Sequence, residues 1–155
     1  MALEIERKYL VHHEQWDNFN KPDGQLYRQG YILKDPNKTI RVRVTDTTAY
    51  LTIKGASVGA TRTEFEYEIP KEEAIELLDN FAVSELSKIR YKILHTEKLW
   101  EVDVFLGANE GLIVAEIELL HEDETFEIPG WISVEVTGDN KYYNSNLSVN
   151  PFKNW

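Results

Sequence analysis

The sequence predicts a mainly β protein of the α+β class: an eight-stranded antiparallel barrel, closed around a polar lumen, with a few helices packed outside. Two observations lead to this fold. Segments of strand length with alternating polar and apolar residues recur along all 155 residues, and most connections between them are of hairpin length. Eight antiparallel strands commonly remove their exposed edges by closing into a barrel. We expect residues 1–155 to form one domain.

Five strands are predicted in the first half of the chain from their alternation of polar and apolar residues. They are residues 4–8, 25–33, 39–44, 50–54 and 62–69. A short helix at 12–20 ends at the turn signal Lys21-Pro22-Asp23-Gly24, and turns at 35–37 and 46–48 separate the later strands. The small, glycine-containing segment 55–60 is expected to be a loop.

The second half begins with a helix at 71–78, where apolar residues recur at helical spacing directly after Pro70. A turn is predicted at 107–111 and a helical turn at 122–127. A closing helix is expected at 139–147, with Asp139 as its cap. The remaining strands are 87–93, 99–104 and 112–120, and a short final strand at 133–137.

The net charge of −10, from 27 acidic and 17 basic residues, argues against broad binding to nucleic acid or anionic lipid. A local basic pocket could still bind a small anion. No apolar run approaches the roughly 20 residues of a membrane helix, and the charged start of the chain lacks the apolar core of a signal peptide. We therefore expect a cytoplasmic protein.

The polar faces of the predicted strands carry sorted charges. Glu4, Glu6 and Lys8 share one face of the first strand. A single row of this kind is most often a solvated face, but solvated faces mix both signs along each strand. Like charges at alternate positions repel, so their repetition on several strands indicates a function. The basic faces hold Arg41, Arg43, Lys54, Lys88 and Arg90, the acidic faces hold Glu101, Asp103, Glu116 and Glu118, and the fifth strand mixes Arg62 with Glu64 and Glu66.

The opposite faces of these strands are apolar and need cover, which helices can provide from outside the barrel. The charged faces would then line the lumen. The apolar residues concerned are Val42, Val44, Ile53, Phe65, Ile89, Val102 and Ile117.

A lumen that gathers both kinds of charge suits a phosphate chain with a divalent cation. Converging Arg and Lys bind phosphate oxygens, and a separate group of carboxylates would hold a cation that bridges the same phosphates. Because the chain has no cysteine, thiolate metal sites are excluded, and carboxylate ligands favour magnesium or manganese. Phosphoryl transfer needs mainly positioning, charge neutralisation and an oriented nucleophile.

A set of ordered motifs runs along nearly the whole chain. It begins with Glu4-Ile5-Glu6-Arg7-Lys8, which has the form ExExK. The other members are Gln29–Tyr31, Arg41–Arg43, Thr52–Gly55, Glu64–Ile69, Lys88–Tyr91, Glu101–Asp103, Glu116–Leu119, and Trp131 with Glu135–Thr137. The set resembles the CYTH superfamily, the triphosphate tunnel metalloenzymes. The resemblance implies an eight-stranded antiparallel tunnel that binds triphosphate and uses magnesium or manganese.

The resemblance also implies roles for individual residues. The implied phosphate-binding residues are Lys8, Arg41, Arg43, Lys54, Arg62, Lys88 and Arg90. The implied metal ligands are Glu4, Glu6 and Glu118 for a first ion, Glu64, Glu66 and Glu116 for a second ion and for orienting water, and Asp103 as a further candidate. The implied catalytic residues are Lys8, Arg43, Lys54, Glu64 and Glu66.

The short chain resembles small bacterial members that hydrolyse inorganic tripolyphosphate to diphosphate and phosphate. The alternatives are a class IV adenylyl cyclase, a nucleoside or thiamine triphosphatase, and, outside enzymes, a module that binds polyphosphate or nucleotide without turnover. We expect a small-molecule triphosphate as the partner, with no nucleic acid and no membrane, and a homodimer stays open. Aromatic residues could stack a base at a tunnel mouth, although packing is their commoner role in a small barrel; they are Tyr27, Tyr31, Trp131, Tyr142 and Tyr143.

Overall fold

Nine antiparallel strands form one sheet in the computed structural model, which describes residues 2–155. Met1, with which the expected domain begins, lies outside the described residues. The strands are β1 (Leu3–Val11), β2 (Gln25–Asp35), β3 (Lys38–Val44), β4 (Ala49–Gly55), β5 (Thr61–Glu68), β6 (Ser84–His95), β7 (Lys98–Phe105), β8 (Ile113–Glu118) and β9 (Ile132–Glu135). Their order is β5-β4-β3-β2-β6-β7-β8-β1-β9, and a further pairing of β5 with β1 closes eight of them. The predicted eight-stranded antiparallel barrel is confirmed.

The barrel closes at a seam along one edge of β1. Residues 3–5 of β1 pair with β5, whereas Tyr9 and Val11 pair with β9. The other edge of β1 pairs with β8 over residues 6–10. The short strand β9 therefore continues the wall where β5 ends, and it brings the C-terminal part of the chain to this end of the barrel.

Among residues 2–155, the α-helices α1 (His13–Asn18) and α2 (Lys71–Phe81) pack outside the barrel, and the one-turn helix α3 (Asn144–Leu147) lies in the C-terminal segment that enters one end of it. No helix among residues 2–155 has the length and apolar character needed to cross a membrane. Residues 122–127, predicted as a helical turn, contain only turns and irregular backbone. The backbone N–H of Glu124 donates to the carbonyl of His121 at 3.2 Å, a bond that no helix continues.

The predicted helix at 139–147 is divided into two pieces. Asp139 begins the first piece as expected, because its side chain accepts a hydrogen bond from the backbone N–H of Lys141 at 3.4 Å. Tyr143 then has an extended backbone (φ −66°, ψ 134°) between the 3₁₀ turn at 140–142 and α3. This break places the Tyr143 ring against Lys8 and Arg62 inside the barrel. Tertiary contacts here override helix propensity.

The helices cover only part of the outer surface of the barrel. Val42 and Val44 are buried with Ala74 and Leu78 of α2, and a second outer core is built around Trp16, Trp100 and Trp131. Val102 and Ile117 are buried in the second core, as predicted. Ile53 is 38% exposed and Phe65 43% exposed, so the expected cover does not reach the outer face of β4 and β5.

The lumen is polar along only part of its length. Leu86, Phe105 and Val114 continue the inward-facing rows of β6, β7 and β8 beyond their charged members. They are buried against Tyr142 and Leu147 of the C-terminal segment. An apolar plug therefore closes this part of the barrel, and the charged residues lie above it.

We expect Gly30→Ala to lower the free energy of unfolding by about 1–3 kcal/mol, the usual cost of overpacking. A Cβ added at Gly30 would lie 2.8 Å from Leu78 Cδ2 and 2.9 Å from the carbonyl oxygen of Ser84. Urea unfolding measures the change. The matched control is Gly55→Ala, whose added Cβ meets only the Cβ of Thr63 at 3.7 Å. Equal unfolding midpoints for the two variants would contradict the tight packing of α2 on β2.

Candidate active site

A cavity of about 220 Å³ occupies the charged part of the lumen. Each of the eight barrel strands contributes to its wall, and the C-terminal segment adds Tyr143, Asn144 and Ser145. All of the site residues predicted from the sequence line the cavity except Asp103. Those that line it are Glu4, Glu6, Lys8, Arg41, Arg43, Lys54, Arg62, Glu64, Glu66, Lys88, Arg90, Glu116 and Glu118.

Strand register determines which charges meet. Glu6 of β1 lies opposite Glu118 of β8, and Lys8 lies opposite Glu116. On the other wall, Lys54 of β4 is paired with Glu64 of β5. Because directly opposed side chains on one face of a sheet are neighbours, the barrel holds an acidic group on β1 and β8 and a mixed group on β4 and β5.

Arg41 and Arg43 form the basic wall on β3. Arg41 Nη2 donates to Thr52 Oγ1 at 3.1 Å and to Glu66 Oε2 at 3.4 Å. Its Nε is buried and has no hydrogen-bond partner among residues 2–155. Burial, reinforced by Arg41 and Arg90, lowers the pKa of Arg43. A buried donor without a partner and clustered positive charge both favour a bound anion.

Asp103 lies behind the cavity wall and pairs with two of the predicted phosphate-binding residues. Its carboxylate accepts from Lys88 Nζ at 2.7 Å and from Arg90 Nε and Nη2 at 2.8 and 2.9 Å. Burial raises the pKa of Asp103, but the charges of Arg90 and Lys88 outweigh this effect and bring the pKa below its ordinary value. The metal role implied for Asp103 stays a prediction, and its contacts suit the positioning of Lys88 and Arg90.

The carboxylates of the cavity fall into two groups by their ion pairs. Five of them contact cations: Glu4 with Lys54 (3.1 Å) and Arg62 (3.5 Å), Glu64 with Lys54 (3.3 Å), Glu66 with Arg41 (3.4 Å), and Glu101 and Glu116 with Arg90 (3.3 and 3.5 Å). Glu6 and Glu118 form no ion pair within the described part of the chain. Burial and the adjacent Glu116 raise the pKa of Glu6 well above its ordinary value, and burial with Glu4 and Glu101 raises that of Glu118.

The donor set of this cavity fits a hard divalent cation. Glu6 and Glu118 face each other across β1 and β8, and neither forms an ion pair among residues 2–155. Across residues 2–155, no three carboxylates or histidines converge closely enough to form a complete coordination group. Magnesium is commonly held by one or two carboxylates, with waters and substrate phosphates filling its other positions. Glu6 and Glu118 would hold such an ion.

The C-terminal segment supplies three cavity residues, of which the sequence had suggested only Tyr143, as one of several aromatic residues that could stack a base. Tyr143 places its ring 5.5 Å from Lys8 Nζ and 5.6 Å from the Arg62 guanidinium. Asn144 Oδ1 accepts from Lys88 Nζ at 2.9 Å. The Asp139 cap was visible in the sequence, but a helix pattern does not show which side chain enters a distant barrel.

The aromatic residues considered for base stacking have different surroundings. Tyr142 and Trp131 are buried in apolar clusters. The Tyr27 ring lies 4.9 Å from the Arg43 guanidinium and 5.2 Å from that of Arg90. Only Tyr31 and Tyr143 are aromatic residues of the cavity wall within the described chain. The structure thus shows these aromatic residues in apolar packing, in contact with cations, or on the cavity wall.

The chain is similar over nearly its whole length to two curated proteins and to a solved structure that carry the same name. The chain is 50% identical over 156 residues to an inorganic triphosphatase of Acetivibrio thermocellus, covering 100% of this chain and 99% of the relative. It is 35% identical over 154 residues to an inorganic triphosphatase of Nitrosomonas europaea, covering 94% and 97% of the two chains. The crystal structure of an inorganic triphosphatase superposes with a TM-score of 0.66 at 31% identity, covering 96% of each chain.

The CYTH domain model matches residues 2–148, which include every strand of the barrel and the C-terminal segment through α3. The family match, the two relatives and the closed barrel agree with the motifs that begin at Glu4. The chain belongs to the CYTH domain family.

Proposed function

We propose that this chain is a metal-dependent hydrolase that cleaves inorganic tripolyphosphate to diphosphate and phosphate. The observation that carries the proposal is one lumenal cavity with basic residues on one wall and carboxylates without an ion pair on another. The names of the two relatives support the same substrate. We propose magnesium or manganese as the cation, and residues 1–155 as one catalytic domain.

The basic residues would bind and orient the phosphate chain. Arg41, with its buried unpaired Nε, and Arg43 lie on β3, while Lys88 and Arg90 lie on β6 and are fixed by Asp103. Charged donors in a buried site stabilise the negative charge that develops on the phosphate oxygens during transfer. Lys8, Lys54 and Arg62 would complete this set from β1, β4 and β5.

The carboxylates would serve the metal and the attacking water. Glu4, Glu6, Glu116 and Glu118 lie on β1 and β8, where Glu6 and Glu118 would hold the ion. When bound, the divalent cation neutralises charge on the phosphate chain. In hydrolysis, the oxygen of water forms a bond to the terminal phosphorus, the bond from that phosphorus to the bridging oxygen breaks, and diphosphate leaves. Glu64 or Glu66 would accept the proton that water loses.

Two alternatives fit the cavity less well. An adenylyl cyclase must also place a nucleoside, but the only aromatic side chains on the cavity wall among residues 2–155 are Tyr31 and Tyr143, and Tyr143 faces Lys8 and Arg62. A module that only binds polyphosphate has no need of Glu6 and Glu118 beside the anion site, because uncompensated carboxylates oppose anion binding. The acidic net charge supports a small-molecule partner in the cytoplasm rather than nucleic acid.

Product analysis distinguishes the three functions. The purified chain is incubated with magnesium or manganese and either tripolyphosphate or ATP, and the products are separated by ion-exchange chromatography. We expect phosphate and diphosphate in equal amounts from tripolyphosphate, and no hydrolysis when a chelator replaces the metal. Cyclic AMP from ATP would instead identify a cyclase. Saturable binding of tripolyphosphate without any product would identify a binding module and overturn the proposed hydrolysis.

A further inference from the structure

A partly buried series of hydrogen bonds joins the C-terminal segment to the basic walls of the cavity. Arg43 Nε donates to Gln29 Oε1 at 3.1 Å, and Gln29 Nε2 donates to Asn144 Oδ1 at 3.2 Å. Lys88 Nζ donates to the same Asn144 Oδ1 at 2.9 Å. Gln29 is fully buried and Lys88 is 1% exposed, whereas Arg43 and Asn144 are partly buried at the cavity wall. These hydrogen bonds connect β2, β3 and β6 with the first residue of α3.

The two ends of this series fix the orientation of both amides. Lysine and arginine side chains can only donate hydrogen bonds. The atom of Gln29 that faces Arg43 must therefore be Oε1, which makes its other end a donor. The atom of Asn144 that faces Lys88 must likewise be Oδ1, and this oxygen also receives the Gln29 bond. The two assignments agree, and each amide group therefore has only one of its two possible orientations.

The amide NH₂ of Asn144 is left as a free donor. It donates to no acceptor in the part of the chain that the structure describes, while Asn144 lines the lumenal cavity between Lys88 and Tyr143. A polar donor at the wall of a buried, basic cavity favours an anionic oxygen as its partner. A neutral donor adds a hydrogen bond without adding to the repulsion among the surrounding cations.

We propose that Asn144 is a substrate-binding residue whose NH₂ group donates to a phosphate oxygen, while its Oδ1 and Gln29 hold Lys88 and Arg43 in place. The C-terminal segment is then part of the binding site as well as a plug for the barrel. This inference rests on the proposed function for the identity of the phosphate compound.

Asn144→Asp separates a direct contact from a purely structural role. The aspartate keeps an oxygen for Lys88 and Gln29 but replaces the NH₂ group with a second oxygen, which repels phosphate. We expect about a ten- to hundredfold rise in the KM for tripolyphosphate, with a much smaller fall in kcat, because a hydrogen bond to a charged group is lost. The second variant is Asn144→Ala, which loses the two observed hydrogen bonds and the proposed one to phosphate. Asn144→Asp should bind tripolyphosphate no better than Asn144→Ala.

The matched control is Asn150→Asp, which makes the same chemical change at an exposed position of the C-terminal segment. We expect the control to keep the wild-type KM. Tripolyphosphate binding is also measured by calorimetry without divalent metal, so that Asn144 is tested even if the wild-type chain proves not to hydrolyse the substrate. Wild-type affinity in Asn144→Asp, together with weakened binding in Asn144→Ala, would show that Asn144 only positions Lys88 and Gln29 and would overturn the direct contact.

Discussion

Glu6→Gln is expected to lower metal-dependent hydrolysis of tripolyphosphate at least about a hundredfold, because loss of a metal ligand removes several kcal/mol of transition-state stabilisation. Folding should change little, by less than about 1 kcal/mol in the free energy of unfolding, since glutamine keeps the volume of glutamate. Glu6 is partly buried, and burial and the adjacent Glu116 raise its pKa well above the ordinary value. Glutamine has the same shape as glutamate but lacks the carboxylate that would bind the metal.

The experiment compares kcat, the half-saturating metal concentration and the urea midpoint. Glu76→Gln is the matched control, because Glu76 is exposed on α2, outside the barrel. We expect wild-type activity from the control. If Glu6→Gln keeps wild-type turnover and metal dependence, the assignment of Glu6 to the metal is wrong, even if the chain proves to be a triphosphatase.

The lining of the lumen could be predicted from the sequence because side-chain direction in a strand depends only on parity. Once Glu4 faces inward, Glu6 and Lys8 do so as well, and the same holds for Arg41 with Arg43. The sorting of charge by strand indicated which faces turn inward. These rules are local, so they needed no knowledge of how the strands are arranged in the sheet.

Parity does not show what a side chain meets. Glu101 and Asp103 share one face of β7, yet Glu101 lines the cavity and Asp103 is completely buried between Lys88 and Arg90. The difference arises because Arg90 lies directly opposite Asp103 in the β6–β7 register. That register cannot be predicted from the sequence of either strand alone. Asn144 was missed, and the place of Tyr143 beside Lys8 was not predicted, for a related reason. Both residues reach the cavity from a segment more than 50 residues away in sequence from Lys88.

The outer face of the barrel shows the same limit. Alternation correctly placed Ile53 and Phe65 outside the lumen, and the need for cover follows from their apolar character. Which outer strands receive a helix depends instead on where α2 and α1 pack, and α2 packs on β2, β3 and β4. Ile53 and Phe65 are consequently half-exposed, although their side chains resemble those of the buried Val42 in character.

Asp103→Asn is expected to lower the free energy of unfolding by about 3–5 kcal/mol, the usual cost of removing one partner from a buried ion pair. Asp103 is completely buried, and its carboxylate binds Lys88, which is 1% exposed, and Arg90, which is 8% exposed. Asparagine keeps the volume but removes the negative charge, so two buried cations would face each other with only amide atoms between them. The NH₂ group of the asparagine would also face the donor groups of Lys88 or Arg90, with which it cannot form a hydrogen bond.

Asp79→Asn provides the matched control for this prediction. Asp79 Oδ1 accepts from Arg28 Nη2 at 2.9 Å, but the two side chains are 56% and 37% exposed. Exposed ion pairs contribute about 0–1 kcal/mol, so the control should unfold close to the wild-type urea concentration. Equal midpoints for the two variants would mean that Asp103 does not hold the cations together. If Asp103→Asn is destabilised and also binds tripolyphosphate weakly without metal, then Asp103 acts by positioning Lys88 and Arg90, because a metal ligand would not affect metal-free binding.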